Sequence, residues 1–142
     1  MTRTDEKVRH EPKSKVDRHG VPYTPQTAAA EVEAALKVVA GRWKLVILFH
    51  LFDGARHRFS DLERAIPGVS QKMLIQQLRQ LERDGVVLRF VHPQVPPKVE
   101  YCLTEWGLAL CPALDEILVW AARRDRLPGL ATAISDESGA CR

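Results

Sequence analysis

Several things missing from this sequence narrow what it can encode. No run approaches the roughly 20 apolar residues needed to cross a bilayer. Met1 to Lys15 is charged throughout and lacks the apolar centre of a secretory signal. The chain is therefore expected in the cytoplasm, without a membrane partner. The three cysteines, Cys102, Cys111 and Cys141, are odd in number and widely spaced, which suits free thiols better than a disulfide framework. The histidines, His10, His19, His50, His57 and His92, show no metal-ligand spacing, and no Cys–His cluster forms. No phosphate-binding glycine loop or nucleophile elbow occurs. The expectation is a non-enzyme with no metal and no cofactor.

What is present fits one domain with modest extensions: 142 residues, 45% of them hydrophobic, enough to build a core. The net charge of +3 permits binding to a polyanion, but only clustering of that charge would argue for it.

Residues 1–26 mix both charge signs with Pro12, Gly20, Pro22 and Pro25 and show no apolar period, so they read as a disordered or loosely ordered arm. Arg3, Lys7, Arg9, Lys13, Lys15 and Arg18 could touch phosphate. Asp5, Glu6, Glu11 and Asp17 cancel much of that field and favour a solvated tail. A single domain is expected over residues 27–126. Thr27 is placed as the cap of a helix from Ala28 to Val39, where Val32, Ala35, Leu36 and Val39 recur at helical spacing. A second helix, Trp43 to about Phe52, is expected at the centre of the core through Leu45, Val46, Leu48, Phe49 and Phe52. Ser60 and Glu63 have capping-box spacing at the start of a short helix with Leu62 and Ile66 inward, and Pro67-Gly68 stops it. Ser70 caps the next helix, Gln71 to Asp84, and Gly85 ends it. Val86 to His92 and Val99 to Leu103 read as strands around a tip stiffened by Pro93, Pro96 and Pro97. Thr104 caps a long helix from Glu105 to about Arg124, and residues 127–142 form a tail opened by Pro128 and Gly129.

The order of elements predicts a mainly α fold with a small antiparallel β-wing. Two short helices around a tight Pro67-Gly68-Val69 turn, then a two-stranded hairpin, describe a winged helix-turn-helix, whose second helix enters the major groove of duplex DNA. Counting at about 100° per residue puts Leu74, Leu78 and Leu81 on one face of that helix and Lys72, Gln76, Arg79 and Arg83 on the other. Glutamine can pair with adenine, and arginine or lysine with guanine. Ile75 could meet a thymine methyl, and Ser70, Gln71 and the free amides at the helix start could meet a phosphate. A plain solvated helix face carries the same residue types, so the flanking turn and hairpin decide the reading. Between Arg56 and Lys98, eight basic residues stand against four acidic ones, so the basic surplus lies in this half of the chain. Arg58 beside the helices and His92, Gln94 and Lys98 at the wing are the further candidate DNA contacts, the competing reading being a hairpin with no DNA role.

Several runs of residues resemble a known family. They include Gly41-Arg42-Trp43-Lys44-Leu45, Arg58-Phe59-Ser60-Asp61-Leu62, and Ile66 to Leu74. The run Leu78 to Val87, the wing Pro96-Pro97-Lys98-Val99-Glu100-Tyr101 and Leu103-Thr104-Glu105-Trp106-Gly107 continue it. Together they resemble the HxlR-type winged-helix transcription regulators, which are MarR-like, in unbroken order from about Val32 to Ala122. The resemblance implies a homodimer, a recognition helix at Ser70 to Arg83 and a wing at His92 to Lys98. It also implies repression or activation of nearby genes, in several members in response to electrophiles or oxidants. Redox-sensing members carry a Cys-Pro-Val motif before the first helix. Here the matching stretch is Ala30-Glu31-Val32, so that sensor thiol is missing. Cys102 and Cys111 read as small buried residues rather than sensors.

The last helix aligns Trp106, Leu110, Ala113, Leu114, Ile117, Leu118 and Ala121 in a stripe broader than one small domain needs. With Val32 and Leu36 of the first helix, Leu110, Leu114, Ile117, Leu118 and Ala121 are the expected two-fold interface; packing within one subunit is the alternative. The expected function is sequence-specific regulation of transcription, by repression, from a homodimer on a palindromic operator. The alternative is a winged-helix protein–protein interaction module, which should show acidic or apolar residues where Lys72, Gln76 and Arg79 stand. The sequence leaves open a small-molecule effector between the dimer helices and the DNA-binding lobe, with Trp43, Trp106 and Trp120 as candidate walls, although aromatic residues at helical spacing more often build core.

Overall fold

The structure, a computed structural model, describes residues 16–126, the side chain of residue 125 excepted. The basic residues expected of the arm at positions 3 to 15, and the tail at 127–142 with Cys141, lie outside the described residues. The chain divides into two compact units between Val39 and Ala40.

In the first unit, the Asp17 carboxylate accepts from the amides of His19 and Val21, both at 2.8 Å, and closes a turn ahead of helix α1, Pro25–Val39. The helix therefore begins earlier than Ala28, and Thr27 is not its cap. Thr24 is: its Oγ1 accepts from the Thr27 amide at 3.2 Å while Thr27 Oγ1 accepts from the Thr24 amide at 2.9 Å. The reciprocal pair satisfies two amides, and Pro25, which has no amide to satisfy, fits the first helical position between them. Val32 (57%) and Leu36 (52%) on this helix are exposed.

The second unit contains α2 (Lys44–Leu51), β1 (His57–Arg58), α3 (Phe59–Ala65), α4 (Gln71–Arg83), β2 (Val87–His92), β3 (Lys98–Leu103), α5 (Glu105–Ala122) and a 3₁₀ turn at Arg124–Arg126. Its core joins Ile47, Leu48 and Leu51 of α2 to Leu62 and Ile66, to Leu74, Leu78 and Leu81 of α4, and to Val86, Val87, Tyr101 and Leu103 of the ribbon. Helix α2 is central, but through one edge only: Leu45 and Phe49, expected inside, are exposed, and Phe49 stands edge-on to Phe52 with ring centroids 5.3 Å apart. The Ser60–Glu63 capping box does not form. The β1 strand carries Arg58 in extended conformation directly into the helix, so Arg58 takes the cap position and Ser60 falls inside the first turn.

The sheet has strand order β1-β3-β2, antiparallel throughout. Cross-strand partners share a face, and alternate residues change face. Register pairs Tyr101 with His57 and Arg89, and Val99 with Val91, on one face. Glu100 pairs with Arg58 and Phe90, and Lys98 with His92, on the other.

Helix α5 is rooted by Thr104, whose hydroxyl accepts from the Gly107 amide at 3.0 Å and donates to the Gly85 carbonyl at 2.7 Å. Gly107 is buried, and a Cβ there would collide with the Val86 carbonyl oxygen. The helix ends at Ala122, short of the expected Arg124. Its apolar stripe splits. Leu114, expected at a two-fold interface, is buried within the chain and Leu110 is half-buried, whereas Ile117, Leu118 and Ala121 are exposed. Trp106 (59%) and Trp120 (72%) are not core residues either.

Candidate nucleic-acid interface

Helix α4 is the element on which the site is built. Ser70, in extended conformation, accepts from the Met73 amide at 3.1 Å, which starts the helix cleanly. The amides of its first turn lie at the positive end of the helix dipole, where an anion is favoured. Leu74, Leu78 and Leu81 are wholly buried and hold the helix against α2 and the ribbon. On the outer side Gln71, Lys72, Gln76, Arg79 and Arg83 are exposed, with Ile75 half-buried beside them. These six line one open concavity of about 760 Å³. The predicted reading face is therefore assembled and accessible. It carries no acidic residue, unlike the surface a protein-only module should present.

A second groove, of about 580 Å³, lies between α4 and the ribbon, bordered by Arg58, Ile75, Arg79, Arg89, Pro97 and Tyr101. Arg58 borders this groove, although its register with Glu100 puts it on the other face of the sheet from Tyr101 and Arg89. His92, Gln94 and Lys98 border neither concavity. The register puts His92 and Lys98 on the opposite ribbon face, where both meet Glu100: His92 Nε2 lies 2.6 Å and Lys98 Nζ 3.7 Å from its Oε1. Gln94 is exposed in the connection between the strands.

Two residues near the site escaped the sequence reading. Glu100 pairs with Lys98 and hydrogen-bonds with His92, and Arg89, which counted only toward the basic surplus, faces the groove. Strand alternation from Tyr101, an obvious inward residue, would have found both once the register was known. Burial pushes the Glu100 carboxyl up. Only together do the His92 hydrogen bond and the charges of Lys98, His92 and Arg56 outweigh this and hold it below the ordinary carboxylate value. Arg56 itself lies over the Phe90 ring, 3.7 Å from its centroid. At the base of β1, the hydrogen bond from His57 holds the Asp53 carboxyl low, helped by the Ala55 amide, and fixes the turn out of α2.

Among the described residues, no group of His, Cys, Asp and Glu could hold a metal ion, and no helix is long and apolar enough to cross a membrane. Cys102 and Cys111 are free and half-buried.

Two helices around the Pro67-Gly68 turn, the second with an exposed polar and cationic face, followed by a two-stranded ribbon, define a winged helix-turn-helix DNA-binding domain. Residues 38–126 match the HxlR-like helix-turn-helix family, and the chain belongs to that family. It is 50% identical over 108 residues to the uncharacterized HTH-type transcriptional regulator YtcD of Bacillus subtilis strain 168, covering 75% of this chain and 85% of that protein. Among solved structures it resembles the redox regulator HypR in its reduced form, with a TM-score of 0.62 and 45% identity, over 67% of this chain and 94% of that one. It also resembles a protein of Enterococcus faecalis V583 assigned to the MarR family, with a TM-score of 0.64 and 37% identity, over 74% and 96% of the two chains. The chain is a transcriptional regulator with a MarR-like, HxlR-type DNA-binding domain.

Proposed function

We propose that the protein is a cytoplasmic homodimer that binds a palindromic operator in duplex DNA and represses transcription from it. The observation that carries this reading is the exposed face of α4, with Lys72, Gln76, Arg79 and Arg83 outward and three leucines locked behind them. Gln76 and Arg79 are the base readers, because their side chains can make two hydrogen bonds to one base edge. Ile75 offers an apolar contact to a thymine methyl. Lys72, Arg83, Ser70 and Gln71 meet phosphate, with Arg58 at the flank and His92, Gln94 and Lys98 on the wing.

The dimer is supported by apolar surface that a monomer leaves in water: Val32 and Leu36 on α1, and Ile117, Leu118 and Ala121 on α5. Two-fold pairing would space two recognition helices by about one turn of DNA, near 34 Å, and so call for an inverted repeat.

Selection from a random duplex library should return an inverted repeat, and sedimentation should give twice the 16.0 kDa chain mass. Arg79→Ala should weaken binding to the selected site by about 1–3 kcal/mol while sparing random duplex. Transcription in vitro from a promoter overlapping that site should fall as protein is added. Failure to select any sequence would remove sequence-specific recognition, and a monomeric mass would remove the two-fold arrangement.

A further inference from the structure

Among the described residues Lys44 is the one buried charged residue, with 7% of its surface exposed. It opens α2 and lies on the same stripe as Ile47, Leu48 and Leu51, which anchor that helix in the core. Its ammonium has no ion pair or hydrogen bond among the described residues. No buried side-chain nitrogen or oxygen is without a partner, so this unpaired ammonium ends where solvent still reaches it. A helical side chain leans toward the N-terminus of its own helix. The Lys44 stem therefore runs along the edge of the core, and its head lies at the entrance to α2.

That entrance is uncapped. Trp43 takes the cap position and supplies no side-chain acceptor. The amides of Lys44, Leu45 and Val46 have no acceptor among the described residues; Ile47 is the first to bond back, to the Trp43 carbonyl at 3.1 Å. Such amides carry the positive end of the helix dipole. Arg42 adds a second cation, its guanidinium 4.6 Å from the centre of the Trp43 ring. An ammonium taken this far out of water is costly unless an anion meets it.

The depth of Lys44 selects the ligand. Exposed arginines suit a DNA backbone, whereas an ammonium on a residue nine-tenths buried is met by a small group. Two cations and three amide donors match the charge and the oxygens of a phosphate better than the single charge of a carboxylate. We propose that the entrance of α2 is a receptor for the phosphate group of a free small molecule, held by the Lys44 ammonium and the amides of Lys44, Leu45 and Val46, with Arg42 at its rim. The Trp43 ring reaches the turn between α3 and α4, its Cη2 3.7 Å from where a Cβ on Gly68 would stand. A ligand held here sits against the joint of the helix-turn-helix. The receptor does not depend on DNA binding.

The test titrates inorganic phosphate, without DNA, into the full chain, with chloride balancing the ionic strength. The amide resonances of Lys44, Leu45 and Val46 in the wild-type protein should shift and saturate, a readout that needs no variant to fold. The thermal midpoint should rise by on the order of 5 °C for each tenfold increase above half-saturation. Phosphate also stabilises proteins by exclusion from their surface, so Lys44→Met, which keeps the stem and removes the charge, is the control. It should need about tenfold more phosphate, or more, for the same amide shifts. Arg42→Gln should raise the half-saturating concentration by less. Wild-type amides at 44–46 that ignore phosphate overturn the receptor, as does a midpoint rise and amide response unchanged in Lys44→Met. Shifts that appear with a random duplex but not with phosphate overturn the free-ligand assignment and give the entrance to the DNA backbone instead.

Discussion

Helix α4 and the β2–β3 ribbon stand side by side in one site, yet they differ in how their faces are determined. A helix with leucines at Leu74, Leu78 and Leu81 and polar residues between them has one way to turn, because its own period sorts the two sets. The ribbon has two faces whose assignment depends on register with its partners, and a shift of one residue exchanges them. Here the register puts Arg89 and Tyr101 toward α4 and leaves His92, Lys98 and Glu100 on the far side. Charge on the helix is therefore open to a ligand, while much of the charge on the wing is already neutralised within the protein.

The sharpest way to break the helix side of this comparison is Leu78→Ala. It empties a fully buried position behind Arg79, so urea unfolding should show a loss of about 2–5 kcal/mol. Next comes Ser70→Ala, which removes the acceptor for the Met73 amide and should cost about 1 kcal/mol in the same measurement. A Ser70→Ala protein of unchanged stability would mean that the cap contributes nothing to holding the recognition helix.

Glu100→Gln addresses the ribbon and should have the smallest effect. By freeing Lys98 and His92 it should tighten low-salt binding to random duplex, on the order of threefold. Unchanged binding would show that the outer ribbon face never meets DNA. Its acid dependence has a definite sign. The carboxyl is held below its ordinary value of 4.5, so its contribution to stability is present above that pH and is lost as pH falls below it. The gap in thermal midpoint between wild type and Glu100→Gln should therefore be widest at neutral pH and close on acidification.

Much of this was legible in the residues themselves. The element order, the Ser70 and Thr104 caps and the inward leucines of α4 all follow from local chemistry, and local chemistry survived folding. The misreadings share a cause: neighbours outranked a local signal. Ser60 and Glu63 have capping-box spacing, but pairing of β1 with β3 delivers Arg58 to the cap position first. Thr27 is a good cap residue, but Thr24 followed by Pro25 is better placed to start the helix. Helix α2 is apolar nearly all round, so its period could not show that Leu45 and Phe49 would face outward. Arg89 was hidden for the reason given by the ribbon: nothing in Val87-Leu88-Arg89-Phe90 alone says which residue looks toward α4.

The seat of α5 has a mechanical corollary. Because Gly107 lies where even one carbon atom would strike the Val86 carbonyl, and Thr104 bridges Gly85 to the first turn, this joint has no slack. A tilt of the long helix would have to drag the first residues of β2 along or rupture the Thr104 bridge. The shaft and the blade of the wing thus share a rigid hinge pin, and a push at one is felt as displacement at the other.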